Sequence, residues 1–352
     1  MRPLVRALAL VLAVAGLSTG CTPKVMPAGP AVAAPALAPD HVLTADGAKL
    51  PLRRWLPAGR PRAVVLALHG FNQYSAFFAG AGTWLAERGI ASYAYDQRGF
   101  GGAPNRGLWP GAATLTDDLR QATAMVRARH PGVPVILFGE SMGGAVIMTA
   151  MAGPEPPAAD GIILAAPAVW GRASMPWYQN VALWMAVHTF PGGQLSGRGL
   201  GILASDNIEM LKALGRDPLV IKQTRVDAVF GLVNLMDDAM AAAAVLDTPL
   251  IVLYGENDQL IPEGAVREML GRLPAAPAHP RTVAVYPKGW HMLTRDNQRE
   301  TVWRDIAHWI VAPTMPLPSG ADAHAAHVGA CPPISVCARA FPPPGSTAPS
   351  AG

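Results

Sequence analysis

Residues 135–150 read VILFGESMGGAVIMTA, and the reading of this stretch decides the fold. An apolar run from Val135 to Phe138 meets Gly-Glu-Ser-Met-Gly-Gly, and a small-residue helical pattern follows. A tight strand-to-helix turn needs glycine for its own sake. So does a nucleophile elbow, in which Gly139 and Gly143 make room for a strained backbone that presents Ser141. The Gly-x-Ser-x-Gly pattern recurs at Gly16–Gly20 as GLSTG, with no strand before it, so the pattern alone settles nothing and context must decide.

Outward from this turn, strands and helices alternate. AVVLALHG (63–70), ASYAYDQRG (91–99), VPVILFGE (133–140) and GIILAAPA (161–168) read as strands, separated by the helical patterns GAGTWLAERGI and ATLTDDLRQATAMVRARH. The strands are apolar at successive positions rather than alternating, as in a parallel sheet covered on both faces. The rhythm breaks over 168–245, a segment rich in Trp170, Trp177, Tyr178, Trp184, Met185 and Phe190, and resumes with TPLIVLYGEND (248–258) and RTVAVYP (281–287). The expectation is a doubly wound α/β domain over 41–167 and 246–312, with a helical cap inserted at 168–245.

In that frame Ser141 follows the central strand and opens a helix, the context an elbow requires. A serine hydroxyl near neutrality needs a base, and the base needs an orienting carboxylate. In chain order these follow as Ser, Asp or Glu, then His, each after its own strand: Asp258 after LIVLYGEN and His291 after VAVYPKGW. Taken singly, Asp258 reads equally well as a turn carboxylate and His291 as a surface imidazole; the order of the three makes the triad. Glu256 is the substitute acid, two positions nearer the strand. His188 lies in the cap and His308 inside a helix, where neither meets Ser141. Oxyanion donors are expected from the backbone N–H of Met142 and of Phe71 in HGFN, with His69 fixing that loop. RGFGG (98–102) lacks the full glycine pattern of a nucleotide loop.

Composition bounds the alternatives. The 352 residues are 51% hydrophobic and 15% charged, with a net charge of +4 and no long Lys/Arg run. A large core is available and a nucleic-acid partner is not expected. The N-terminus has Arg2 and Arg6, an apolar stretch from Ala7 to Leu17 and then small residues, the layout of a secretory signal peptide over 1–20. The stretch is shorter than the roughly 20 residues of a membrane span. LSTGC resembles a bacterial lipobox, with Ser18 where leucine is usual, so Cys21 is the expected lipidation site. The competing reading is an ordinary secreted chain with a chance cysteine. Lipidation would place the chain in the cell envelope, at the outer membrane because Thr22 replaces the aspartate of inner-membrane retention; otherwise it is secreted or periplasmic. Residues 21–40 read as a Pro/Ala tether and 313–352 as a disordered Pro/Ala/Gly tail, in which Cys331 and Cys337 form either a disulfide or two inert thiols. His324 and His327 in that tail do not read as a zinc module, and no metal or cofactor is expected.

LHGFNQYS, YDQRGFGGAPNRG, FGESMGGAV, LIVLYGENDQLIP and KGWHML together resemble the successive signature blocks of the monoacylglycerol lipase and lysophospholipase branch of the α/β-hydrolases, over about 41–312. The resemblance implies that fold, Ser141, Asp258 and His291 as triad, Phe71 and Met142 as oxyanion donors, and a small-molecule or lipid ester as substrate. Phe100, Ala103 and Met292 depart from the family's usual histidine, serine and glutamate. None touches the triad; all bear on substrate preference. The same triad also serves thioester hydrolysis or acyl transfer, and a non-catalytic lipid-binding protein is the remaining alternative, one that would predict a broken catalytic position.

Overall fold

The computed structural model describes residues 22–197, 199 and 201–327. The first strands, β1 (Ala36–Leu37), β2 (His41–Leu43) and β3 (Lys49–Trp55), form an antiparallel meander at one edge of the sheet. The α/β rhythm then runs through β4 (Ala63–Leu68), α1 (Ala79–Ala86), β5 (Ile90–Tyr95), α2 (Ala112–Arg129), β6 (Val135–Glu140), α3 (Met142–Met151) and β7 (Gly161–Ala165). Next come α4 (Trp177–Thr189), β8 (Gln194–Leu195), α5 (Ile208–Arg216), β9 (Thr224–Arg225) and α6 (Val226–Ala242). The chain returns to the sheet with β10 (Leu250–Gly255), α7 (Glu263–Arg272), β11 (Arg281–Tyr286), α8 (Arg299–Val311) and α9 (Ala321–His327).

Nine strands form one sheet in the order β1-β2-β3-β5-β4-β6-β7-β10-β11, parallel from β5 to β11. Every residue of β4, β5, β6, β7 and β10 is buried. Alternate residues feed two cores: Val64, Leu66 and Leu68 pack with α2, α3 and α6, while Val65 and Ala67 pack with α1 and α8. Two cores on one sheet are why these strands read as continuous apolar runs.

The strand order positions the site. From β4 the chain steps to β5 on one side, then crosses back to β6 on the other. Ligands of open α/β sheets bind outside the carboxyl ends of the strands at such a reversal. Phe71 follows the end of β4 and Ser141 the end of β6, the two strands that flank it.

Three boundaries differ from expectation. The segment before the domain is a docked strap rather than a free tether: Lys24 N–H donates to Asp227 (3.2 Å), Met26 N–H to the Trp109 carbonyl (2.8 Å), Ala28 N–H to Thr114 Oγ1 (3.1 Å), and Val32 N–H to the Ala45 carbonyl (2.7 Å). Proline removes donors from this stretch, and several of the N–H groups that remain find acceptors on the body. The cap ends earlier than residue 245, because α6 is a core helix packed against α3 with Leu235, Met236 and Ala239 buried. Val226–Val245 is long and apolar enough to cross a membrane, but burial between layers explains its composition. The C-terminal stretch packs on the body over 317–325: Leu317, Ala321 and Ala325 are buried and Ser319 N–H donates to Asp305 (3.1 Å). Small residues that read as linker here let α9 sit close to the body. The expected signal segment, Cys21, Cys331 and Cys337 lie outside the described residues.

Candidate active site

Ser141 adopts φ 54° and ψ −115°, a conformation a non-glycine residue enters only under constraint from its surroundings. The flanking glycines show the constraint. A Cβ on Gly143 would lie 2.3 Å from the Leu68 carbonyl oxygen, and one on Gly139 would lie 2.4 Å from the Gly144 nitrogen. Helix α3 therefore starts hard against β4 and β6, and its first residue, Met142, is fully buried. Ser141 N–H donates to the Ala165 carbonyl (2.9 Å) and its carbonyl accepts from Ala168 N–H (3.0 Å), so the elbow is clamped to the end of β7.

The loop after β4 is fixed by His69. Its Nε2 accepts from Gln97 N–H (3.0 Å) and its Nδ1 meets the Gly70 carbonyl (2.9 Å), which assigns the proton to Nδ1. Burial pulls this imidazole down to about 4, so it stays neutral at physiological pH and serves as a strut. Phe100 packs edge-on against both His69 and Phe71, with centroids 5.6 Å apart in each case. Trp109 adds a second ring beside Phe71. The departure at Phe100 thus supplies packing for both His69 and Phe71.

Asp258 and His291 stand on adjacent loops after β10 and β11. The loops touch closely, since a Cβ on Gly255 would lie 2.4 Å from the Gly289 carbonyl carbon. His291 Nδ1 is 2.8 Å from Asp258 Oδ2, with both side chains buried. Asp258 Oδ1 accepts from Leu260 N–H (2.8 Å) and Ile261 N–H (3.0 Å), which fixes the carboxylate. Burial acts to lower the His291 pKa, but the Asp258 charge and hydrogen bond, aided by Glu140, outweigh it, and the imidazole lies above its ordinary value.

Several residues that position this loop carry no sequence signal of their own. Glu140, the residue before Ser141, is fully buried and accepts from Arg295 (2.6 Å) and Thr294 Oγ1 (3.2 Å). Asp296 accepts from Trp290 N–H (2.7 Å) and from Ser205 of the cap (2.6 Å), while Met292 N–H donates to the Ala204 carbonyl (3.0 Å). A carboxylate at the end of an apolar strand, at Glu140, was the one visible hint. The other candidates stand elsewhere. Glu256 bonds His324 of α9 (2.7 Å), His188 bonds the Trp184 carbonyl on the exposed cap helix (2.7 Å), and His308 lies on α8. Among the described residues no group of three or more His, Cys, Asp or Glu side chains is arranged to hold a metal ion.

A mostly parallel sheet with a serine elbow at its reversal point and a His–Asp pair on the loops after β10 and β11 defines an α/β-hydrolase. Residues 59–298 match the family model described as serine aminopeptidase, S33, and the chain belongs to that family. It is 26% identical to a monoacylglycerol lipase of Mycolicibacterium smegmatis over 73% of this chain and 91% of that protein. It is 26% identical to the monoglyceride lipase of Rattus norvegicus over 77% of this chain and 89% of that protein. The structure of a soluble variant of the Saccharomyces cerevisiae monoglyceride lipase superposes with a TM-score of 0.64 at 20% identity, covering 82% and 97% of the two chains, and supports the fold. The chain is a carboxylic ester hydrolase.

Proposed function

We propose that the chain cleaves a single-acyl glycerolipid, a monoacylglycerol or a lysophospholipid, through an acyl-enzyme on Ser141. The observation that carries this reading is the 2.8 Å bond from buried His291 to Asp258, on the loop tied through Arg295 to the residue preceding Ser141. His291 Nε2 takes the Ser141 proton as Oγ attacks the ester carbonyl. Asp258 holds the Nδ1–H tautomer and stabilises the imidazolium. The N–H groups of Phe71 and Met142 receive the oxyanion. His291 then protonates the departing alcohol, and water activated by the same imidazole releases the fatty acid.

The cap supports a lipid substrate and a membrane setting. Helix α4 has no charged residue, and Trp177 (76% exposed), Trp184 (59%) and Phe190 (74%, just beyond it) are open to solvent, an arrangement suited to a lipid surface. In our reading the chain is exported and lipidated at Cys21, in the outer membrane. The strap favours this: Lys24 is held at Asp227, whose own N–H donates to the Pro191 carbonyl beside Phe190, so an anchor at residue 21 and the apolar helix would meet one membrane.

The test is hydrolysis of p-nitrophenyl esters from acetyl to palmitoyl by residues 22–352, beside Ser141→Ala. Activity lost in the variant, with an optimum at long chains, is the expected result; equal activity in both proteins removes Ser141 from the mechanism. For the anchor, palmitate labelling of the full chain should disappear in Cys21→Ser, and label that persists there sinks lipidation at that residue.

A further inference from the structure

A cavity of about 620 Å³ opens between the loop after β5 and the cap, lined among others by Arg106, Leu108, Ile221, Lys222, Gln223 and Arg225. Three of its lining side chains are cationic and none is acidic. Arg225 is paired with Asp227 through two hydrogen bonds (2.9 and 2.6 Å). Arg106 and Lys222 are placed differently. Arg106 donates to the Pro218 carbonyl, Lys222 to the carbonyls of Asp217 and Val220, and neither makes an ion pair among the described residues. The neighbouring Asp217 carboxylate is turned to the Tyr74 hydroxyl (2.7 Å) and to Leu219 N–H (2.8 Å). Two full positive charges are thus held by neutral carbonyls at the wall of an open cavity, where an anion meets them without displacing a carboxylate.

The same wall is bonded to the oxyanion loop. Ile221 N–H donates to the carbonyl of Asn72 (3.0 Å), and Asn72 Nδ2 donates to Thr224 Oγ1 (2.7 Å). Asn72 directly follows Phe71, and Leu108 directly precedes Trp109, whose ring packs beside Phe71. An ester carbonyl held at Phe71 N–H therefore has this cavity as its neighbour across one loop.

We propose that the cavity is a phosphate subsite, in which Arg106 and Lys222 hold the phosphate ester of a lysophospholipid head group while the acyl ester lies at Ser141. The inference rests on the ester-hydrolase reading above and narrows it from neutral glycerides to phosphate-bearing ones. A phosphate offers charged acceptor oxygens to a guanidinium and an ammonium, and a neutral glycerol offers neither charge nor a reason for preference. Specificity here is the difference between the two, so it is read as a ratio.

Hydrolysis of oleoyl lysophosphatidic acid and of monoolein is measured for residues 22–352 and for Arg106→Gln/Lys222→Gln. The ratio of kcat/KM, phosphate substrate over neutral substrate, is expected to fall about tenfold or more in the double variant, mainly through KM. Arg106→Lys/Lys222→Arg, which keeps both charges, should recover most of it. An unchanged ratio, or equal loss on both substrates, overturns the head-group assignment. Calorimetric titration of Ser141→Ala with glycerol 3-phosphate and with inorganic phosphate supplies an arm independent of turnover. Glycerol 3-phosphate binding that the double substitution removes supports the subsite, even if neither ester is hydrolysed, in which case the function reading alone fails. Inorganic phosphate binding together with an unchanged substrate ratio assigns the cavity to a free anion and overturns the proposal. Binding of neither phosphate overturns it outright.

Discussion

Glu140 and Arg295 form a 2.6 Å ion pair between side chains that are fully and almost fully buried, and this pair ties the residue before the elbow serine to the loop that carries His291. Elbow and base loop are therefore one mechanical unit, although 155 residues separate the two partners in sequence. Removing one partner of a buried pair leaves the other charge uncompensated, which typically costs about 3–5 kcal/mol. Glu140→Ala is expected to lose stability on that scale in urea denaturation. Glu140→Ala/Arg295→Met should be less damaged than Glu140→Ala alone, because no orphan charge remains.

The glycines of the elbow should behave oppositely to a glycine in open space. Gly143→Ala puts a methyl 2.3 Å from the Leu68 backbone oxygen at the end of β4, where the backbone cannot yield. A loss of at least about 1–3 kcal/mol, with loss of activity, is expected from such overpacking. Gly264→Ala in α7 meets nothing within 4 Å and takes an ordinary helical conformation. A gain of roughly 0.5 kcal/mol is expected there, since alanine lowers the entropy lost on forming the helix. Melting curves of the two variants check both signs.

Asp258→Asn tests the orientation of the base. By analogy with triads whose aspartate has been replaced, kcat should fall by about 10⁴-fold. The pH profile adds a readout that simple damage would not give. In the proposed mechanism the working base is the neutral imidazole of His291, so activity falls as pH drops through its pKa. With Asp258 present that pKa is raised, chiefly by the carboxylate acting against burial. The acid limb of kcat/KM should therefore shift to lower pH in Asp258→Asn. An acid limb that stays in place rules out His291 as the group it reports.

Asp296 gives a stability prediction. Burial raises its carboxyl to about 6, against the lowering effect of the bonds from Ser205 and Trp290 N–H. A carboxyl raised on folding takes up protons more readily in the native state, so its contribution is fully present below the unfolded value near 3.8 and is lost as pH rises through about 6. Wild type should gain stability relative to Asp296→Asn as pH falls from about 7 to about 4. Asparagine can place its oxygen toward Trp290 N–H and its amide toward Ser205 Oγ, so the variant should fold. Asp118 is raised to about 6 as well, and the wild-type-minus-variant difference isolates Asp296 from it.

The sheet and the elbow were legible because their signals are local. Leu66, Phe138 and Leu253 lie in strands buried on both faces, which leaves a mark in six consecutive residues. Gly139 and Gly143 flank a strand-to-helix turn whose sterics act across a few residues. Less was legible at the edges. The Pro/Ala composition of 22–40 said nothing of acceptors waiting at Asp227, Trp109 and Ala45. The helical pattern of 226–242 looked like cap because periodicity reports an apolar face without naming its partner; α3 is that partner.

The sequence by itself determined the class of fold, the strained turn at Ser141, and the placing of Asp258 and His291 on the loops after two later strands, since each follows from strand burial and the chemistry of one loop. Only the tertiary structure decided that Glu140 braces the base loop, that the N-terminal strap is docked, and that Arg106 and Lys222 face one cavity. Glu140 with Arg295, Lys24 with Asp227, and Arg106 with Lys222 each join residues more than 100 positions apart. They depend on strand order and on how the cap lies over the sheet, and no local periodicity encodes either.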